Sequence, residues 1–425
     1  MTRFMKKILI SAYACIPNRG SEEGNGWHYS SLISQQGYRV WCLTRDIGQN
    51  SIEQKMAESQ YPNLTFVYVK MPRWLDKAYY KGLLGLYFHY LYWQWRAYKV
   101  AQRLDQRHQF DLVHHVSYTS LQLGSFLYKL KRPFIYGPVG GGQEAPKVMR
   151  RYFRDYWVKE RMRSVVSKLM LMFNPGCYQS VRRANFVLVW NEDTRRLVHS
   201  LGRQKAVKKE FGGVSKSFVP SEPILRSPQD SLKLIWVGRL MPRKALELTL
   251  HGLSKVDPKL PVHLTVLGDG EMGKYMPEYI ARYNLANRVT WVGRVDYEQV
   301  KAFYRKADVF IFTSLRDTGP AQLMEAMSYT LPVVTLNLHG QAEIINDSTG
   351  IRVPVTTPEV VTDQLAKAIE WMYHHEAERL EMGLNAYYFA QQQVWEVKIK
   401  HIIQTYYIAA VRQKTSASVD YEPIR

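Results

Sequence analysis

Short apolar runs alternate with longer stretches of helical character along almost the whole chain. Strands that alternate with helices form right-handed crossovers and hence a parallel, doubly wound sheet. A length of 425 residues exceeds what one hydrophobic core supports, so we expect two such α/β domains, and 46% apolar residues suffice for both. The predicted strands are Lys7–Tyr13, Tyr38–Thr44, Leu64–Val69, Leu112–Val116, Phe134–Tyr136, Phe186–Val189, Leu232–Gly238, Val262–Gly268, Arg288–Gly293, Asp308–Ser314 and Pro332–Leu336.

A change of composition predicts where the two domains meet. Residues 219–231, VPSEPILRSPQDS, contain three prolines and three serines, which is typical of a linker. We therefore expect an N-terminal domain over residues 1–218 and a C-terminal domain over residues 232–393. An amphipathic helix over about 394–412 is expected to pack back on the first domain, and residues 413–425 are expected to be disordered.

The formal net charge of +21 points to an anionic partner. Residues 147–168 hold eight Lys or Arg against two acids, with Trp, Tyr and Phe among them, and a second aromatic stretch covers residues 74–95. Rings beside cations favour an anionic membrane surface, while a solvated face over an aromatic core is the alternative. Nucleic acid is not expected, because no zinc-finger, RNP or basic heptad pattern is present. The uncharged run Gly82–Trp95 is too short to span a bilayer.

Cysteine usage suggests the compartment. Cys15, Cys42 and Cys177 are too few and too scattered for a disulfide framework or a zinc site, which suits a reducing cytoplasm. Together with the basic aromatic stretches, this predicts a cytoplasmic protein that is peripheral on the inner face of the membrane.

Two carboxylates flank the start of a predicted helix in FIFTSLRDTGPAQLMEAMSYTLPVV. Asp317 follows a strand and Glu325 comes eight residues later. A fully helical path would separate them by roughly 12 Å. That exceeds the roughly 5 to 9.5 Å required of a glycoside hydrolase pair, which disfavours hydrolysis. The acids can instead accept hydroxyl hydrogen bonds at both ends of an elongated ligand while the helix N-terminus faces a phosphate, a layout that a nucleotide sugar has.

Two cations and a glycine-rich turn follow other predicted strands. Arg239 comes directly after a strand and Lys244 lies near the next helix, so the two would repel each other unless they share an anion such as a diphosphate. Two solvated loop charges are the alternative. After the first strand, GSEEGNGW supplies Gly24 and Gly26 in a turn suited to approaching a diphosphate or a sugar, with a helix opening at Trp27. A simple tight turn remains the alternative there.

Several motifs, in this order, resemble the retaining glycosyltransferases of family four, which have the two-domain GT-B fold. They are GSEEGNGW, DLVHHVSYTS, GPVGGGQEAP, VGRLMPRK, VLGDGEM, RVTWVGRV and EAMSYTLPVV with the downstream GQAEIINDSTG. The resemblance covers nearly the whole chain. It implies two Rossmann-like domains facing an interdomain cleft, and transfer of a hexose-type sugar with retention from a nucleotide diphosphate sugar to an acceptor hydroxyl. It implies no cofactor and no metal, and the Asp-x-Asp motif of the other glycosyltransferase fold is absent.

The resemblance also implies roles for individual residues. Arg239 and Lys244 look like the cations that hold the donor diphosphate and stabilise it as it leaves. Asp317 looks like the acid that meets donor-sugar hydroxyls, and Glu325 like the acid that meets the ribose diol. Backbone N–H groups at the start of the following helix would face the β-phosphate. The further donor-side residues are Gly24, Gly26, Arg294, Gly319, Ala321 and Gln322.

The sequence departs from the family pattern at several positions. The first acid is Asp rather than the usual Glu, and Lys244 is followed by Ala rather than Gly. The family often has His-x-His at the end of the fourth strand, whereas this chain has His114 and His115 in succession. Strand alternation places the two on opposite faces, and we expect His114 to position the acceptor or the sugar, with a satisfied core histidine as the alternative. His115, Gly140 and Gly141 are expected on the acceptor side.

The resemblance implies an enzyme of bacterial cell-envelope or capsule polysaccharide assembly, acting on a glycan or lipid-linked acceptor. Two alternatives stay open. Asp317 and the missing second histidine allow a catalytically silent GT-B scaffold, or a nucleotide-sugar-binding partner in a polysaccharide assembly complex. An NAD-dependent oxidoreductase is disfavoured because the first glycine-rich turn is not GxGxxG.

Overall fold

The computed structural model describes residues 6–58, 61–79, 82–203, 206–227 and 230–419. These residues form two compact units. The first takes those within Met1–Gly142, Arg163–Glu210 and Trp395–Arg425, and the second takes those within Gln143–Met162 and Phe211–Val394.

The first unit is built on a parallel sheet of seven strands. Its strands are β1 (Lys7–Ala12), β2 (Arg39–Thr44), β3 (Leu64–Tyr68), β4 (Leu112–Ser117), β5 (Phe134–Val139), β6 (Phe186–Val189) and β7 (Val207–Lys209). Its helices are α1 (Ser21–Gln35), α2 (Gln49–Glu58), α3 (Arg73–Tyr79), α4 (Leu83–His108), α5 (Trp157–Phe173), α6 (Pro175–Arg183) and α7 (Glu192–Ser200), with the first turns of α5 assigned to the second unit. The strand order is β3-β2-β1-β4-β5-β6-β7.

Both faces of this sheet are covered, which explains the near-continuous apolar strands. Along β1 the side chains alternate, so that Leu9 points into a core formed with α4 and α6 while Ile8 and Ile10 point into a core formed with α1. Every residue of β4 and β5 is buried. Polar side chains within these strands therefore need partners inside the fold.

The second unit is built on a parallel sheet of six strands. Its strands are β8 (Leu232–Val237), β9 (Val262–Leu267), β10 (Val289–Gly293), β11 (Val309–Phe312), β12 (Val333–Leu336) and β13 (Gly350–Val353). Its helices are α8 (Leu246–Ser254), α9 (Met276–Arg282), α10 (Tyr297–Lys306), α11 (Ala321–Ser328), α12 (His339–Ile344), α13 (Pro358–His374) and α14 (Glu376–Gln392). The strand order is β10-β9-β8-β11-β12-β13, so β8 and β11 are neighbours although their starts, Leu232 and Val309, are 77 positions apart in the sequence and β9 and β10 lie between them.

The C-terminal helices α15 (Trp395–Ile402) and α16 (Ile408–Val419), joined by a π-helical turn at Ile403–Tyr407, belong to the first unit. They pack on α1, where the rings of His28 and Trp395 stack at 5.3 Å. The predicted disorder from residue 413 is wrong as far as Val419, because α16 continues to that residue. Residues 420–425 lie outside the described residues.

The unit boundaries differ from the predicted domains. Residues 143–162 fold with the second unit, where Arg151 forms an ion pair with Glu359 and the Tyr152 hydroxyl contacts His251. The second unit also starts at Phe211, ahead of the Pro-rich segment, because Phe218 packs in its core. Composition located the segment that looks like a linker, but packing determines which unit each segment joins. None of the described helices is long and apolar enough to cross a membrane.

Candidate active site

The carboxyl ends of β8 and β11 bring the predicted Lys244 and Asp317 into contact. The Lys244 ammonium donates to Asp317 Oδ2 at 2.5 Å, and the guanidinium of Arg243 donates to the same oxygen at 3.0 Å. Because β8 and β11 pair in parallel, the loops that follow them leave the same edge of the sheet and meet there. A backbone hydrogen bond of 2.8 Å from Leu315 N to Arg243 O joins the two loops.

The lysine of this cluster is buried, while Arg243 and Asp317 are partly exposed. Lys244 is only 5% exposed and its ammonium lies 4.5 Å from the centre of the Phe312 ring. Burial lowers the pKa of Lys244, and the charge of Asp317 opposes that shift. Burial by itself would raise the pKa of Asp317, but Lys244 and Arg243 outweigh it and hold the pKa of that carboxyl well below its usual range. Asp317 is therefore a carboxylate held by two cations.

Arg243 is a site residue that the sequence reasoning missed. The sequence reasoning paired Arg239 with Lys244, whereas the structure joins Arg243 and Lys244 to one carboxylate. Arg239 is exposed and forms no side-chain hydrogen bond or ion pair with the residues that the structure describes. Three cations within six residues were the signal available in the sequence, but only the short 3-10 turn at Pro242–Lys244 shows which two act together.

Glu325, the second predicted acid, lies inside α11 and is buried. The Tyr297 hydroxyl at the start of α10 donates to its Oε1 at 3.1 Å. Burial raises the pKa of Glu325 to about 7, while the hydrogen bond from Tyr297, the nearby Tyr304 hydroxyl and the charge of Lys244 act in the opposite direction. The charge of Lys244 thus acts on both acids, although it contacts only Asp317. Tyr297 is a second residue that sequence reasoning missed, since nothing local indicates that α10 packs over α11.

The N-terminus of α11 lies between the two acids in the sequence. Gly319, Ala321 and Gln322 are partly exposed, and Pro320 occupies the N-cap. The first-turn N–H groups of a helix have no intrahelical partner. Among the described residues, none accepts a hydrogen bond from the amides of Ala321 and Gln322. These amides are suited to binding an anion.

The segment 143–162 also contacts the loop that carries Asp317. Thr318 Oγ1 donates to Gln143 Oε1 at 3.4 Å, and Arg316 forms an ion pair of 2.6 Å with the buried Glu160. Within the motif GPVGGGQEAP, the sequence predicts Gly140 and Gly141 on the acceptor side and makes no prediction for Gln143. The last residues of this motif contact the loop that carries Asp317, which only the course of the chain reveals.

The two histidines of β4 are packed inside the first unit, which favours the core-histidine alternative over the prediction that His114 positions an acceptor or sugar. Both are fully buried. His114 Nδ1 lies 2.6 Å from the Tyr407 hydroxyl and its Nε2 lies 2.6 Å from Gly137 O, so both ring nitrogens are engaged. His115 Nδ1 lies 3.0 Å from Ser11 Oγ. Burial lowers the pKa of His114 to about 3 and that of His115 to about 4, which keeps both rings neutral.

The predicted glycines of the first unit also serve packing. The helix α1 begins at Ser21 rather than at Trp27, so Gly24 and Gly26 lie inside it. A Cβ at Gly24 would lie 2.1 Å from Arg19 O, and one at Gly26 would lie 2.2 Å from Ala14 O, so both allow a close approach of backbone. Gly140 and Gly141 are buried, with their amides bonded to Thr119 O at 2.7 Å and to Thr194 Oγ1 at 3.1 Å.

Of the remaining predictions, Arg294 is exposed just after β10. In the part of the chain that the structure describes, no group of three or more His, Cys, Asp or Glu has a geometry that could hold a metal ion.

Most of the second unit is similar to a known protein family. The sequence model of the family described as "Glycosyl transferases group 1" matches residues 221–389. An uncharacterized glycosyltransferase of Methanocaldococcus jannaschii is 29% identical over 135 residues, 31% of this chain and 35% of that protein. A putative colanic acid biosynthesis glycosyltransferase of Escherichia coli is 26% identical over 204 residues, 46% of this chain and 50% of that protein. The chain thus matches about a third to a half of the length of these curated relatives.

Solved structures extend the likeness to nearly the whole chain. A sucrose-phosphate synthase from Thermosynechococcus elongatus superposes with a TM-score of 0.65 at 18% identity, covering 97% of this chain and 100% of that one. The HepE protein of Anabaena in complex with UDP-glucose gives 0.59 at 16% identity, with 97% and 99% covered. A lipopolysaccharide outer core galactosyltransferase gives 0.64 at 13% identity, with 96% and 99% covered. At these identities the likeness concerns the fold, and it confirms the predicted GT-B architecture of two parallel-sheet α/β domains.

Proposed function

Since residues 221–389 match the sequence model of the group 1 glycosyltransferases, we propose that the chain transfers a sugar from a nucleotide diphosphate sugar to an acceptor hydroxyl, with retention of the anomeric configuration. The observation that carries the proposal is the cluster in which Arg243 and Lys244 hold the carboxylate of Asp317 at the carboxyl ends of β8 and β11. Ligands bind at such strand ends in open α/β sheets.

The residues of the second unit match the parts of such a donor. The diphosphate carries the charge that Lys244, the exposed Arg239 and the first-turn amides of α11 are suited to bind. Asp317 accepts hydrogen bonds from sugar hydroxyls and Glu325 accepts them from the ribose diol. Structures of a protein with the same fold contain UDP-glucose, which supports a nucleotide sugar as the class of donor.

In the proposed reaction the bond between the anomeric carbon and the diphosphate oxygen breaks, and the acceptor oxygen bonds to the same face of that carbon. The acceptor proton passes to the departing phosphate oxygen, so the chain need not supply a base. The role of the cations is to stabilise charge as it develops on the diphosphate, the kind of electrostatic contribution that is usually the largest in such sites. Lys244 serves this role well because its burial removes competing water.

We further propose a lipid-linked glycan acceptor at the inner face of a membrane with an anionic surface, in cell-envelope or capsule polysaccharide assembly. Relatives named for colanic acid biosynthesis and for phosphatidylinositol N-acetylglucosamine transfer support this choice. The net charge of +21 supports an anionic surface as the partner.

The test measures nucleoside diphosphate released from a panel of nucleotide sugars, with UDP-glucose first, in the presence of membrane lipid extracts. Wild type should release diphosphate well above the Arg239→Ala variant, which loses an exposed cation without losing a structural contact. Product anomers are then assigned by NMR, and inversion would refute retention. Release equal to that of the variant, together with a rise in melting temperature on adding nucleoside diphosphate, would favour the silent scaffold.

A further inference from the structure

The outward face of the C-terminal half of α5 is apolar. Val165, Leu169, Met172 and Phe173 are 51%, 48%, 73% and 71% exposed. Their spacing of four, three and one residues places them on one face of the helix. A contiguous exposed set of large apolar side chains is uncommon on a monomeric soluble protein and marks a site of interaction. We call these four residues the α5 face.

The opposite side of α5 packs against the core of the first unit. Val166, Met170 and Leu171 pack against the core that contains Trp93. The amide of Gln122 also donates to Ser167 Oγ at 2.9 Å. Since the inward side is already filled by apolar residues, the orientation of α5 is set by the core, and the α5 face remains outside it. The exposed apolar residues are thus a feature of the folded unit.

The sequence that contains the α5 face and the following helix is basic. Residues 163–183 contain four Lys or Arg and no Asp or Glu. Arg182 and Arg183, at the exposed end of α6, contact Tyr178 Oη at 3.5 Å and Gln179 Oε1 at 3.0 Å, and neither contacts a carboxylate among the described residues. Their charges therefore remain available to an external anion.

The upstream cations behave differently. Arg151 pairs with Glu359 at 2.7 Å and Arg154 pairs with Glu278 at 2.8 Å, so part of the charge that dominates residues 147–161 in the sequence is neutralised within the second unit. Among the described residues, the α5 face and the end of α6 combine exposed apolar side chains with cations that contact no carboxylate.

We propose that the α5 face inserts into the headgroup region of an anionic lipid bilayer, with Arg182 and Arg183 against the lipid phosphates. The proposal rests on the membrane partner of the proposed function and names the surface that meets it. An apolar helix face beside cations is what binds anionic interfaces. A second copy of the chain fits less well, because an isologous contact would bring the basic ends of two α6 helices together.

A labelling experiment detects insertion directly. The three native cysteines are buried, so Met172→Cys can be labelled selectively with an environment-sensitive fluorophore in the full chain. With vesicles of phosphatidylglycerol and phosphatidylcholine at low salt, its emission should shift to the blue. The matched control is Leu225→Cys, whose parent side chain is 86% exposed in the second unit and should show no shift. An unshifted Met172→Cys emission on vesicles that bind the protein would overturn the proposal.

A binding experiment separates this proposal from the proposed function. Leu169→Glu with Met172→Glu should weaken vesicle sedimentation by about tenfold or more, while Leu225→Glu should bind as wild type does. Release of diphosphate from soluble UDP-glucose should be unchanged in both variants, which also shows that they are folded. Unchanged sedimentation of the double variant refutes only the claim that the α5 face binds the bilayer. Absence of wild-type binding refutes the membrane partner together with the α5 face but leaves sugar transfer standing. A wild-type dimer that the double variant dissociates without lipid would replace the bilayer by a second copy.

Discussion

The two units differ in how they hold a buried polar side chain, as His114 in β4 and Lys244 in the turn after β8 show. In the first unit, His114 is buried with both ring nitrogens bonded, to Tyr407 and to Gly137. In the second unit, Lys244 is also buried, but its ammonium pairs with the Asp317 carboxylate and faces the Phe312 ring. The histidine is neutral and both its ring nitrogens are bonded, while the lysine is paired with a carboxylate that a ligand can replace.

This difference shows that burial alone does not distinguish structure from function. A buried neutral group whose hydrogen bonds are all satisfied has nothing left to offer a ligand. A cation in a buried ion pair can still bind an incoming anion, since a diphosphate competes with the carboxylate for the same cations. The following changes test this contrast, starting with the largest expected effect.

Replacing Lys244 should have the largest effect. Lys244→Ala removes the charge closest to Asp317 and should lower turnover by about 10²- to 10³-fold, the range found when one charge-stabilising donor is removed. It should also cost a few kcal/mol of stability, because Asp317 loses a partner while buried. Diphosphate release and urea unfolding measure the two effects.

A double variant separates the two consequences. Lys244→Ala with Asp317→Asn removes both charges, so it should recover much of the unfolding free energy but none of the turnover. Recovery of turnover in the double variant would show that Lys244 serves only to neutralise Asp317.

Replacing Asp317 alone should have the next largest effect. Asp317→Asn keeps the shape but removes the charge that Arg243 and Lys244 hold, so turnover should fall about tenfold to 100-fold through loss of hydrogen bonds to sugar hydroxyls. Affinity for free nucleoside diphosphate should be kept or increased, because a competing anion is gone. Isothermal calorimetry checks this, and weakened diphosphate binding would contradict it.

The same variant should change acid stability. The pKa of Asp317 is held below its usual range in the folded chain. Its charge therefore contributes stability above the unfolded pKa, and that contribution is lost as the pH falls below about 4 toward the folded pKa. The Asn variant should show a shallower loss of stability in that window.

Glu325 should give a smaller, pH-dependent effect. Its folded pKa of about 7 means that the carboxylate form, which accepts ribose hydroxyl hydrogen bonds, predominates only above neutrality. Affinity for UDP-glucose, which does not itself titrate there, should rise several-fold between about pH 6 and pH 8. In Glu325→Gln this dependence should vanish, and overall affinity should be weaker. An unchanged pH profile in the variant would assign the titration to another group.

The raised pKa of Glu325 also determines in which direction the stability of the folded chain changes with pH. Because it is raised above the unfolded value of 4.5, the folded chain binds more protons between that value and about 7. Its contribution to the free energy of unfolding is therefore present below pH 4.5 and is lost as the pH rises to about 7.

Replacing His114 should affect activity least. His114→Phe leaves Gly137 O and the Tyr407 hydroxyl without their partner, which should cost about 2 to 3 kcal/mol of stability with turnover within twofold of wild type. Since its folded pKa of about 3 lies below the unfolded value of 6.5, its contribution is present above pH 6.5 and lost as the pH falls toward 3. The melting temperature of the variant should fall less steeply over that range. A large loss of turnover in a folded variant would restore His114 as a site residue.

The local sequence pattern predicted the strands and the fold class well. It predicted poorly which unit each segment packs in. The apolar runs that alternate with helices located eleven of the strands, because burial on both faces leaves a continuous apolar signal. The two strands it missed, β7 and β13, are short and sit at sheet edges, where residues such as Lys208 and Arg352 break that signal. Segments 143–162 and 211–218 were placed with the wrong unit for a related reason, since no local feature records which core a segment joins.

The amino-acid sequence by itself determined that this chain builds two parallel-sheet units and that cations and acids follow the strands of the second. Those properties depend on periodicity and on the order of residues, which are local. Only the tertiary structure decided that β8 lies beside β11, that Lys244 therefore contacts Asp317, and that the Tyr407 hydroxyl forms a hydrogen bond with His114. The protonation state and availability of each side chain follow from partners distant in the sequence, because desolvation and charge act through space.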